Sequence, residues 1–214
     1  MKKYLLLDHD GVLVDTESWY YRAGERALAG IGFTLDKEQY LRDMSHGAAT
    51  WAQARSAGID EPTIDRLRTV RDACYQDYLR TEAIEIDGVA DALAELSKHV
   101  RMAIVTTAKR ADFAVIHERR RLTRFMDFVL VREDYTLAKP HPEPYLTALR
   151  RFGGARDDAL VVEDSSRGLS AAVAAGIDCA VVHNDFTAGQ DFSRATYRIE
   201  SLRELTGIVG VHDG

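Results

Sequence analysis

The sequence predicts an α/β fold, with a Rossmann-like parallel sheet and an α-helical domain inserted after the first strand. Three observations carry this. Short apolar runs of strand length recur along the chain, helical patterns lie between them, and one long stretch near the start contains no such run. Strands that alternate with helices imply right-handed crossovers and a parallel sheet covered on both faces.

The apolar runs are Tyr4 to Leu7, Met102 to Val105, Phe128 to Val131, Leu160 to Val162 and Cys179 to Val182, each too short for a helix. Helical spacing marks Val89, Leu93 and Leu96, then Phe113 and Ile116, then Tyr145, Leu146 and Leu149. Between Asp15 and about Glu85 the pattern is helical only, as in Ile64, Leu67, Val70, Cys74 and Tyr78, opened by Asp60 as N-cap and Pro62 in the first turn. A connection of roughly seventy residues exceeds one crossover helix, so residues 15–85 are expected to form a helical insert and residues 1–14 with 86–214 the core. Asp15 and Thr16 are expected to cap the first inserted helix, and Asp87-Gly88 to supply the returning turn. A helix of small residues from Ser165 should end at Gly176, with Gly168 serving its packing.

Composition narrows the function. The chain has 214 residues, 28 Lys+Arg against 34 Asp+Glu, a formal charge of −6 and 46% hydrophobic residues. That balance gives no electrostatic reason to expect nucleic acid as a partner, and Arg119 to Arg121 with Arg124 read as a solvated helix face. Cys74 and Cys179 have neither zinc-ligand nor disulfide spacing and read as small core residues. The apolar run at Leu5 to Leu7 is too short for a secretory leader, and no uncharged run approaches the roughly 18–20 residues that span a bilayer. A cytoplasmic protein with no membrane partner is expected. Its oligomeric state is not legible.

In open parallel sheets, ligands bind beyond the carboxyl ends of the strands. Asp8-His9-Asp10-Gly11 follows the first strand, Thr106-Thr107 the second, Ala138-Lys139-Pro140 the third at a short distance, and Glu163-Asp164-Ser165 the fourth. In extended chain, Asp8 and Asp10 share a face and His9 points the other way, towards a sheet or cap contact. If the fourth strand neighbours the first, four carboxyl groups converge. At an effective dielectric of about 20, two like charges 4 Å apart repel by about 4 kcal/mol, so a metal, a cation or a proton must answer them. A divalent ion with Lys139 supplies three positive charges, and a proton on Asp10 completes the balance. All-oxygen ligation suits Mg²⁺. A carboxylate aimed at phosphorus can act as nucleophile, and a second carboxyl can protonate the leaving oxygen and then deprotonate water. Thr106 and the backbone N–H groups of residues 8–11 are candidate donors to the transferring phosphoryl oxygens.

These motifs resemble those of the haloacid dehalogenase (HAD) superfamily: Asp8-His9-Asp10-Gly11-Val12-Leu13-Val14-Asp15-Thr16 as the first, Thr106 as the second, Lys139-Pro140 as the third and Glu163-Asp164 as the fourth. The stretches from Lys139 to Tyr145 and from Glu163 to Gly168 look like the branch containing phosphoglycolate phosphatase and β-phosphoglucomutase. The resemblance extends from residue 1 to about 190 and implies a HAD-like core whose helical insert closes as a cap. It implies Asp8 as nucleophile, Asp10 as general acid/base, Thr106 on the phosphoryl oxygen and Lys139 on the phosphoaspartate charge. It also implies Mg²⁺ held by Asp8, the backbone carbonyl of Asp10 and Asp164, with Glu163 a direct or water-mediated ligand.

Tyr20 and Ala49 stand where mutases of the family carry His and Arg, and Asp10 is present where the dehalogenases lack a second carboxyl. The expectation is therefore a Mg²⁺-dependent phosphatase of small phosphorylated metabolites. A sugar-phosphate mutase is the alternative reading, and a non-catalytic phosphometabolite sensor the alternative of another class. His46 and Thr107 are candidate substrate contacts, and Trp51, which with His46 lies near a Ser45-His46-Gly47 turn, is considered with them. His141 reads as part of a turn, and neither His9 nor Ala138 is given a functional role.

Overall fold

The structure, a computed structural model, describes residues 1–45 and 49–210. Six strands form one sheet: β1 (Tyr4–Leu7), β2 (Arg101–Val105), β3 (Phe128–Leu130), β4 (Ala159–Glu163), β5 (Asp178–Val182) and β6 (Tyr197–Ile199). Their order is β3-β2-β1-β4-β5-β6 and every pairing is parallel. The expected neighbourhood of first and fourth strands is present, with Leu7 opposite Val162. The sixth strand was not anticipated; it is a three-residue edge in which only Ile199 is buried.

The chain divides into two units, Thr16–Ile84 and the remainder, Met1–Asp15 with Glu85–Gly214. The helical unit comprises α1 (Glu17–Ala29), α2 (Lys37–Ser45), α3 (Ala49–Ser56) and α4 (Glu61–Thr81). Asp60 caps α4 as expected, its carboxylate accepting the Thr63 N–H at 2.7 Å. The buried stripe of α4 is Ile64, Leu67, Arg71, Tyr75 and Leu79, which corrects the expected stripe: Val70 is exposed and Cys74 half-buried. Steps of three and four residues keep one face at the helical period, and Arg71 belongs to that face despite its charge. Its guanidinium meets Asp72 at 2.7 Å and the Tyr20 hydroxyl, and lies over the Tyr20 and Trp51 rings. Trp51 is itself buried. Thr16 occupies the N-cap position of α1, but its side chain makes no capping bond, another departure from expectation.

In the sheet unit, α5 (Val89–Leu96), α6 (Arg110–His117), α7 (Glu143–Phe152), α8 (Ser166–Ala175) and α9 (Leu205–Val209) complete the elements. Gly88, at φ +77°, takes the left-handed turn that starts α5. Strand alternation divides the core. Leu5, Leu7, Met102, Ile104, Leu160 and Val162 pack with Leu93, Leu96 and Leu205 on one face. Leu6, Ala103, Val105 and Val161 pack with Tyr145, Leu149, Phe152 and Leu169 on the other. Each fully buried leucine contributes about 1.5–3 kcal/mol, so a sheet covered on both faces is a rigid support for what lies at its carboxyl edge. Cys179 is a buried core residue as expected. Arg119 to Arg121 lie beyond the end of α6 and Arg124 in a short 3₁₀ turn, so they are not the expected helix face; Arg120 pairs with Glu85 at 2.6 Å. Among the described residues, no helix is long and apolar enough to cross a membrane.

Candidate active site

Side chains from the ends of three adjacent strands meet at the middle of the sheet. Asp8 follows β1, Thr106 follows β2, and Glu163 and Asp164 close β4. Lys139 arrives on the loop before α7 and bridges two of them, with Nζ 2.8 Å from Asp8 Oδ1 and 2.7 Å from Glu163 Oε1. That loop is held by Glu143, which accepts the N–H groups of Thr136 at 2.8 Å and Leu137 at 2.9 Å. His141 is a turn residue as expected, its Nδ1 accepting the Glu143 N–H at 3.1 Å.

Glu163 is fully buried and densely bonded. Its Oε1 accepts from Lys139 and, at 2.6 Å, from the Tyr145 hydroxyl; its Oε2 accepts the Ser165 hydroxyl at 3.0 Å. Burial works to raise its pKa, but Lys139, Tyr145 and Ser165 overcome that and hold it below the usual carboxylate range. Asp8 shows the opposite balance: burial first, then the Glu163 charge, raise it to about 7 against the pull of Lys139. Burial would lower the Lys139 ammonium, yet the two carboxylates hold it above its ordinary value. Gly168 in α8 makes this packing possible, since a Cβ there would overlap the Glu163 carboxylate.

Asp8, Glu163 and Asp164 each offer an oxygen, and these atoms lie within 4.8 Å of one another. Three carboxylates against one ammonium leave negative charge that a divalent cation would offset, and hard oxygen donors suit such an ion. The Asp10 carboxylate is not part of this group of three, so the expected convergence of four is looser than anticipated. Its Oδ2 instead accepts the Thr106 hydroxyl at 3.3 Å. The Thr106 oxygen in turn accepts the Ala108 N–H at 3.0 Å, and the Thr106 carbonyl accepts the Tyr135 hydroxyl at 2.7 Å. Thr107 is half-buried beside it. His46 lies outside the described residues.

Two of the backbone donors expected for phosphoryl oxygens are spent on the fold. The Asp8 N–H donates to Val162 at 2.9 Å and the Gly11 N–H to Val14 at 2.8 Å. His9 is buried against α6, where its Nε2 lies 3.0 Å from His117 Nε2 and its ring 4.9 Å from that of Phe113. Burial, then the neighbouring His9, push His117 down to about 4. Its Nδ1 therefore donates to the Arg120 carbonyl at 3.0 Å and its Nε2 accepts from His9. The remaining His9 nitrogen, Nδ1, makes no hydrogen bond and lies 3.5 Å from Asp10 Oδ2, which corrects the expectation that His9 points away from both aspartates: the chain leaves strand geometry after Leu7, so the alternation no longer applies.

Sequence reasoning missed Tyr145, read only as helix packing, and the loop after β5. There Asn184 donates through Nδ2 to Asp164 Oδ2 at 2.9 Å and to the Gly11 carbonyl at 3.4 Å, and the Thr187 hydroxyl donates to the Asp164 carbonyl at 2.7 Å. Inspection of the fifth strand end by the rule used for the other four would have found Asn184.

Comparison with known proteins agrees with this architecture. Protein CbbY of Rhodobacter capsulatus is 29% identical over 212 residues, covering 94% of this chain and 93% of the relative. A phosphoglycolate phosphatase of Photorhabdus laumondii is 28% identical, covering 88% and 83%. A crystal structure of mutant CbbY from Rhodobacter sphaeroides in complex with xylulose-(1,5)bisphosphate superposes with a TM-score of 0.80 at 25% identity, covering 96% of each chain. The profile of haloacid dehalogenase-like hydrolases matches residues 5–182. With its strand-end acids, bridging lysine and threonine in the order which that profile spans, the chain belongs to the haloacid dehalogenase-like hydrolase family.

Proposed function

We propose that the chain is a Mg²⁺-dependent phosphatase that hydrolyses small phosphorylated metabolites through an aspartyl-phosphate on Asp8. The observation that carries this is the Lys139 bridge, which fixes Asp8 at the centre of an acidic group while Asp10 stands apart on the Thr106 hydroxyl. Two carboxyls in different surroundings suit different roles. Asp8 attacks phosphorus, and the leaving oxygen takes the proton of Asp10. Asp10 then takes a proton from the water that attacks the phosphoaspartate, and inorganic phosphate leaves.

Lys139 stays beside Asp8 throughout and offsets the charge of the phosphoaspartate. Thr106 holds Asp10 by its hydroxyl and is assigned as a donor to a phosphoryl oxygen. Asp8, the Asp10 carbonyl and Asp164 would hold Mg²⁺, with Glu163, whose oxygens already serve Lys139, Tyr145 and Ser165, reached through water. When bound, the ion draws charge from the phosphoryl oxygens and favours ionised Asp8. The Thr16–Ile84 unit, inserted in the chain just after the nucleophile, is assigned the part of a cap that excludes bulk water.

The names of the relatives support small phosphate esters as the substrate class: phosphoglycolate phosphatase, and N-acetylmuramic acid 6-phosphate phosphatase of Pseudomonas aeruginosa. The test is phosphate release from a panel that includes phosphoglycolate and xylulose bisphosphate, with and without Mg²⁺. Asp8→Asn serves as the blank. Release that needs both the ion and Asp8 is expected; release that persists in Asp8→Asn would refute the assignment.

A further inference from the structure

The loop after β5 holds Asp164 by both its side chain and its main chain. The Asn184 side chain has one possible orientation: its Oδ1 accepts the Phe186 N–H at 2.8 Å, so its Nδ2 must be the atom facing Asp164. An amide held at both ends cannot flip to present oxygen. The same Nδ2 reaches the Gly11 carbonyl at 3.4 Å, and a Cβ on Gly11 would overlap both the Asp164 carboxylate and Asn184. Gly11, Asp164 and Asn184 therefore form one clamp in which Asp164 Oδ2 is committed to a protein donor. Thr187 secures the main chain of the same residue, its hydroxyl 2.7 Å from the Asp164 carbonyl.

We infer that Asn184 is a positioning residue that makes Asp164 a one-oxygen ligand and so sets the preference of the site for Mg²⁺ over Ca²⁺. The inference rests on the metal reading given above. Mg²⁺ demands near-octahedral geometry, with each carboxylate giving a single oxygen, whereas Ca²⁺ takes six to eight oxygens and accepts both from one carboxylate. A carboxylate with Oδ2 engaged by Asn184 is suited to the first ion and poorly suited to the second. Release of Oδ2 lets Asp164 turn and offer both atoms.

The experiment is calorimetric titration of the full chain with MgCl₂ and with CaCl₂, in wild type, Asn184→Ala and Thr187→Val. In Asn184→Ala, the Mg²⁺ dissociation constant should rise about 10–100-fold, as for other residues that orient a metal ligand, and the Ca²⁺ constant by much less. The Mg²⁺/Ca²⁺ preference should therefore fall about tenfold or more. Thr187→Val loosens the same loop without freeing Oδ2, so it should weaken both ions alike and keep the ratio. Equal weakening of both ions in Asn184→Ala would overturn the inference while leaving the metal site in place, as would unchanged affinity for both. Absence of Mg²⁺ binding in the wild type would overturn the metal reading itself.

Discussion

Replacement of Tyr145 by phenylalanine removes one oxygen and leaves the ring, together with its contact under the Lys139 ammonium at 4.9 Å. What is lost is a 2.6 Å bond from a buried hydroxyl to the buried Glu163 carboxylate. A hydrogen bond to a charged group is worth about 1.5–3 kcal/mol, and for a chain of this size each kcal/mol moves Tm by about 2–4 °C. The expected drop is roughly 3–12 °C. Its pH dependence has a definite sign. Glu163 is held below its unfolded value of 4.5, so the stability it contributes is complete above that value and is lost as pH falls through the folded pKa. Tyr145 is one of the groups that hold it down. The difference between wild type and Tyr145→Phe, read in urea melts, should therefore shrink as pH falls below 4.5. A Tm change under about 1 °C, or a difference that does not shrink below pH 4.5, would refute the assignment of Glu163 as an ionised anchor.

Two further outcomes are expected. Because burial and Glu163 raise Asp8 to about 7, a divalent ion competes there with a proton, and the Tm gain from saturating MgCl₂ should grow from pH 5.5 to 8; a gain independent of pH would count against Asp8 as a ligand. Gly168→Ala drives a methyl group into the Glu163 carboxylate, so a loss of about 1–3 kcal/mol or more in denaturant melts, with poor Mg²⁺-dependent turnover, is expected. Wild-type stability in that variant would show that α8 shifts freely away from Glu163.

The sheet was legible because its strands are buried on both faces and read as uninterrupted apolar runs; β1, β2, β4 and β5 begin and end within a residue of expectation. β6 was not, since Tyr197 and Arg198 face solvent at the sheet edge and three residues give no period. The α4 stripe was misread at Val70 because Arg71, a charged residue, occupies the buried face, where its ring and carboxylate partners satisfy it. In the site, Asp8, Asp10, Thr106, Lys139, Glu163 and Asp164 could be found because strand-end acids, a hydroxyl and a lysine carry a chemical signature in the sequence. Tyr145 and Asn184 carry none. Their contacts arise from the hydroxyl of a core aromatic and from the orientation of one amide, and both join residues far apart in the chain. The expected use of the Asp8 and Gly11 amides failed for a related reason. A motif names side chains, whereas backbone donors are allotted by the local turn.

The position of β1 has a consequence for biosynthesis. Leu7 pairs with Ile104 on one side and Val162 on the other, so the middle strand of the sheet is translated long before either neighbour. At about 5–20 residues per second, roughly 8–30 s separate the translation of Leu7 from that of Val162. Until α5 and β2 follow at residues 89–105, Leu5, Leu6 and Leu7 have neither sheet partner nor covering helix, whereas the Thr16–Ile84 unit is built from one continuous stretch of chain. The nascent protein thus carries a bare apolar strand while the residues of the Thr16–Ile84 unit are being added, the state in which a ribosome-bound chaperone would have most to protect.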